Sequence, residues 1–167
     1  MHEAYWREFV DIKIAEQYFL LYIHNSRRWQ FAINAFCLVV SFTGVVTWIG
    51  DWLSPAISGI IILVSQVVSI LQPLYPHSDR LFAGKCVFSE LKSLALSAEQ
   101  TWNQYLCGSL DEAAIASKLK KLQLDLAAVE DKFVTPELFP PKMRLHKKAE
   151  KTVEQFLRTH YDLKEWK

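Results

Sequence analysis

Residues Trp29 to Gln72 read WQFAINAFCLVVSFTGVVTWIGDWLSPAISGIIILVSQVVSILQ, and the interpretation of this stretch decides the fold class. Between Trp29 and Ser78 the only formal charge is Asp51, so the other Lys, Arg, Asp and Glu lie outside it. A bilayer imposes such a distribution, because a charge at its centre costs roughly 2.5–3.5 kcal/mol on insertion scales. Trp29–Ile49 is long enough, at roughly 1.5 Å per residue, to cover a hydrocarbon core of ~30 Å. Gly50-Asp51-Trp52-Leu53-Ser54-Pro55 reads as a tight turn. Ser54 suits an N-cap there, and Pro55 suits the first helical position. A second run from Pro55 to Gln72 ends before Pro73 and Pro76. Trp29, Trp48 and Trp52 fall where an aromatic belt belongs. The reading is an all-α membrane protein with a transmembrane hairpin at 29–73, its spans 29–49 and 55–72.

Orientation follows from the flanks. Arg27 and Arg28 precede the stretch, Arg80 and Lys85 follow it, and the turn carries no Lys or Arg. This predicts a multi-pass protein of the cell inner membrane with both termini cytoplasmic. The apolar run starts too far into the chain for a secretory signal.

Working outward, residues 1–28 form an amphipathic cytoplasmic helix. Tyr5, Phe9, Ile12, Phe19 and Ile23 fall on one face at three- and four-residue steps, and this helix is able to run on into the first span. Residues 79–167 form a cytoplasmic helical domain with helices at about 79–107, 110–134 and 142–161. Leu81, Gly84, Phe88, Leu91, Ala95, Ala98, Trp102 and Tyr105 alternate three- and four-residue steps, a coiled-coil seam that Gly108 terminates. Ser109-Leu-Asp-Glu112 is a capping box that opens the next helix. That helix carries a second seam of Ile115, Leu119, Leu122, Leu126, Val129 and Phe133, and the short connection makes the two antiparallel. Leu81, Phe88, Leu91, Ala95 and Trp102, with Leu119, Leu122, Leu126 and Val129, are the expected oligomer seam. The last helix places Leu145, Ala149, Val153, Phe156 and Leu157 on one side.

The apolar runs carry a polar stripe. Gln30, Asn34, Cys37, Ser41 and Gly44 recur at helical steps in the first, and Ser58, Ser65, Ser69 and Gln72 in the second. Small and polar residues allow close helix packing. They also suit a pore lining once several hairpins assemble. Lys142, Arg144, Lys147 and Lys148 suit anionic lipid headgroups or a solvated helix face.

The sequence shows no phosphate loop, no metal-ligand spacing and no nucleophile elbow, so no catalytic, cofactor or metal residue is expected and the chain does not read as an enzyme. Cys37, Cys86 and Cys107 read as free thiols. A net charge of +1 argues against nucleic-acid binding.

The order of these parts resembles the SLATT-type two-transmembrane effectors of bacterial conflict systems, which occur beside nucleotide-signal synthases, SLOG sensors or reverse transcriptases. The likeness is architectural. It covers about residues 3–135 and rests on Arg27-Arg28-Trp29, Gly50-Asp51-Trp52, Ser54-Pro55 and the heptads from Leu81. It implies a homo-oligomer that permeabilises or disrupts the bacterial inner membrane in antiviral defence when a sensor partner encoded nearby is triggered. The alternative is a membrane-anchored scaffold or accessory subunit of a larger complex, without pore activity.

Overall fold

The computed structural model describes residues 2–41, 59, 63–64, 66–68, 70, 77–133 and 139–161. The helices with defined ranges are α1 (His2–Ser41), α2 (His77–Leu106), α3 (Glu112–Phe133) and α4 (Met143–His160). The chain divides into two compact units, Met1–His24 with Arg80–Lys167, and Asn25–Asp79. No strand occurs among the described residues.

The first unit is built from the four amphipathic faces. Tyr5, Trp6, Phe9 and Ile12 of α1 meet Ala95, Ala98 and Trp102 of α2, Ile115 and Leu122 of α3, and Val153 and Leu157 of α4 in one buried cluster. Burying a side chain such as Phe9 or Ile115 contributes about 1.5–3 kcal/mol. A second cluster joins Phe19 and Tyr22 to Val87, Leu91, Val129 and Phe139. The pairings fix direction. Tyr5 Oη donates to the Ala98 carbonyl at 3.2 Å, and a Cβ at Gly84 would sit 3.5 Å from Ile23, so α1 and α2 run antiparallel. Gln123 of α3 donates to Glu8 of α1 at 3.2 Å. Tyr18 lies against Lys142 and Trp6 against Tyr161, which sets α4 antiparallel to α1. The result is an up-down-up-down bundle. His24, Arg80, Phe139 and Lys142 all lie at one of its ends.

The α2–α3 connection shows why the helices stop and start there. Gly108 takes φ +72°, a conformation that costs glycine little. The Ser109 N–H reaches the Gln104 carbonyl at 3.0 Å and the Gly108 N–H reaches Tyr105 at 2.9 Å, the paired bonds of a Schellman motif. Ser109 is therefore occupied in closing α2, and its hydroxyl donates to the same Gln104 carbonyl at 2.7 Å. The cap of α3 is Asp111 instead, whose Oδ1 accepts the Ala114 N–H at 2.8 Å.

The membrane reading is corrected. Among the described residues no helix is long and apolar enough to cross a membrane. α1 is described as far as Ser41, and its apolar part within that range begins at Trp29. Its preceding turns carry charges as far as Arg28, and α2 carries Arg80, Lys85, Glu90, Lys92 and Glu99 along its length. The all-helical fold stands. The transmembrane spans, the pore-forming assignment and the multi-pass inner-membrane location with cytoplasmic termini do not. The expected turn at 50–55, with Trp48, lies outside the described residues.

Candidate interaction surfaces

The apolar stripe of α1 has one break. Tyr5, Phe9, Ile12, Phe19 and Ile23 alternate steps of four and three if position 16 is included, and position 16 is glutamate. Glu16 is 8% exposed, the one buried charged side chain among the described residues. It lies 3.7 Å from Lys13 Nζ, and Lys13 reaches Glu99 of α2 at 3.1 Å. The Lys13 ammonium also sits over the Phe156 ring of α4, 5.2 Å from its centroid. Tyr161 Oη donates to the other Glu99 oxygen at 3.3 Å. Burial and the neighbouring Glu99 charge push the Tyr161 phenol up to about 12. These groups tie α1, α2 and α4 by charge. A polar group in an apolar seam sets register, because every shifted packing leaves it unpaired. Sequence reading missed Glu16, although the gap in its own stripe was the signal.

Along α4, the buried Ala149, Val153 and Leu157 turn the remaining faces to solvent. Arg144, Lys147, Lys148 and Lys151 are exposed. The acidic residues of the helix are already engaged: Glu150 with His146 at 3.4 Å and Glu154 with Arg158 at 2.6 Å. Lys142 is different from its neighbours. Its ammonium lies 4.7 Å from the Tyr22 ring centroid and its N–H donates to Tyr18 Oη at 3.2 Å. Of the four expected headgroup contacts, Lys142 is committed to the bundle, and Arg144, Lys147 and Lys148 face water.

The expected oligomer seam is largely covered within the chain. Leu91, Ala95, Trp102, Leu122 and Val129 are buried in the two clusters, and Phe88, Leu119 and Leu126 are half-buried against them. Leu81 is half-buried. Above α2, an open groove of about 570 Å³ is lined by Leu96, Glu99, Gln100, Asn103, Gln104, Cys107 and Ser109. Cys86 and Cys107 are free.

Of the polar stripe, Gln30 is half-buried and Asn34 exposed on α1. Cys37 and Ser41 belong to the same helix. Gly44, Ser58, Ser65, Ser69 and Gln72 lie outside the described residues. Several large apolar residues described in the second unit are open. Trp29 is 62% exposed, Phe31 75%, Leu38 64% and Ile70 66%.

No family model, curated protein or solved structure matches the chain.

Proposed function

We propose that the chain is a non-enzymatic effector subunit that assembles with copies of itself and disrupts the bacterial inner membrane in a defence response, when a sensor partner triggers it. One observation carries this reading: large apolar side chains, Trp29, Phe31, Leu38, Leu63 and Ile70 among them, stand open in a stretch holding a single formal charge. Each gains about 1.5–3 kcal/mol on leaving water. Several copies brought together present these side chains to lipid as one apolar surface, and the contact works from the bilayer surface without a span. The bundle supplies the rigid body that the trigger acts on.

Expression in a bacterium, followed by activation through the sensor partner and a membrane-potential dye, tests it. Depolarisation is expected. The triple variant Phe31→Ser, Leu38→Ser and Ile70→Ser should abolish it and keep the helical content. An unchanged potential under full activation overturns the reading.

The groove over Leu96 and Cys107 supports a second reading, a scaffold subunit that docks a partner there. Leu96→Glu would then remove function, and the triple serine variant would retain it.

A further inference from the structure

We propose that the N-terminal half of α4 is a docking face for an anionic lipid surface, formed by Met143, Arg144, Lys147, Lys148 and Lys151. Charge complementarity is the first argument. Two and a half turns hold four exposed cations, and among the described residues none of the four side chains has an ion-pair partner. Residues 144 and 148, and 147 and 151, stand four apart, where like charges repel. The first turn of α4 contains no acidic residue, and Lys142 gives it no side-chain cap. Positive charge at a helix N-terminus is the unfavourable arrangement for the helix dipole. The bundle therefore carries this cluster at a cost, and an anionic partner would relieve it.

The second argument selects lipid over other anions. Met143 is 69% exposed and sits one turn from Lys147, inside the basic cluster. Pro140 and Pro141 beside it are also exposed. A headgroup layer satisfies both features, since cations meet phosphates while an apolar side chain enters between them. A phosphate backbone rewards only the cations. The chain carries a net charge of just +1, so the attraction is local to this face.

The inference rests on the proposed membrane role of the chain for its choice of a membrane, and the two fail separately.

Flotation of the full chain with vesicles decides it, using phosphatidylcholine alone and phosphatidylcholine with phosphatidylglycerol. Affinity should be higher for the anionic vesicles and fall steeply with salt. The variant Arg144→Gln, Lys147→Gln, Lys148→Gln should lose the anionic preference, roughly fivefold per cation and about a hundredfold together. Its binding to neutral vesicles should be unchanged, and its circular dichroism should match the parent because all three side chains are exposed. Met143→Gln should weaken anionic binding without altering the salt slope. Equal binding to both vesicle types, unaffected by the triple variant, overturns the docking face and leaves the apolar segment in place. Salt-dependent binding to anionic vesicles alone supports the face and counts against the apolar segment. Loss of binding to duplex DNA in the triple variant, with no anionic-lipid preference in the parent, assigns the face to nucleic acid and overturns the proposal.

Discussion

The bundle and the Asn25–Asp79 unit are built from similar apolar residues and treat them oppositely. In the bundle, Phe9, Phe19 and Trp102 are buried; in the other unit, Trp29, Phe31 and Leu38 face outward. The difference is patterning. Each bundle helix pairs an apolar face with a charged one, so four faces close on one another and leave the charges in water. The 29–72 stretch has one formal charge, and its polar residues are mostly small and uncharged. Its exposed apolar side chains, such as Phe31 and Ile70, have no charged face beside them to keep them in water and need a partner. Charged faces therefore mark where the chain is complete in itself.

The largest test of the contrast is Phe9→Ala. It should cost the bundle about 3–5 kcal/mol in urea unfolding, because the surrounding aromatic and aliphatic side chains cannot collapse into the space. A loss under 1 kcal/mol would mean that the bundle core is as open as the second unit.

Lys13→Met should follow at about 2 kcal/mol, since buried Glu16 and half-buried Glu99 both lose their cation. Adding Glu16→Met should recover most of that loss. Failure to recover would show that Glu16 does not depend on Lys13.

At the α2–α3 connection, Asp111→Ala removes the acceptor of the Ala114 N–H and should cost about 1 kcal/mol, read by the same unfolding midpoint.

Tyr161 sharpens the comparison by pH. Its phenol is raised from 10.0 to about 12, so the protonated form is favoured in the folded bundle. Its contribution is complete below about 10 and is lost as pH climbs from there towards about 12. Tyr161→Phe should flatten the alkaline loss of stability across that window. An identical pH profile would place the alkaline sensitivity elsewhere.

Phe31→Ser sits at the other extreme. It should shift bundle stability by less than about 0.5 kcal/mol, because the side chain is exposed and lies outside the bundle. A larger shift would join the two regions energetically.

Much of the bundle was legible in the sequence. The steps from Leu81 to Tyr105 marked the face of α2 that is buried at Leu91, Ala95, Ala98 and Trp102, and Gly108 marked its stop. Val87, fully buried, fell outside that seam, because α2 packs against helices on more than one side. Ser109 was misread as the α3 cap. Both Ser109 and Asp111 are good caps locally, and only the Schellman closure of α2 decides between them. The basic cluster was legible as composition. That Lys142 belongs to Tyr22 and Tyr18 was not, because those partners are more than a hundred residues away in the chain.

The sequence by itself determined that this chain is helical, where its amphipathic faces lie, and that one stretch between Arg28 and Asp79 is nearly free of charge. Those properties follow from local spacing, which a helix converts directly into faces. Only the tertiary structure decided that the seams close within one chain and that Glu16 enters the bundle with Lys13 and Glu99, and among the described residues no helix is long and apolar enough to cross a membrane. The packing outcomes depend on which faces meet, and that is not a property of any one window of sequence.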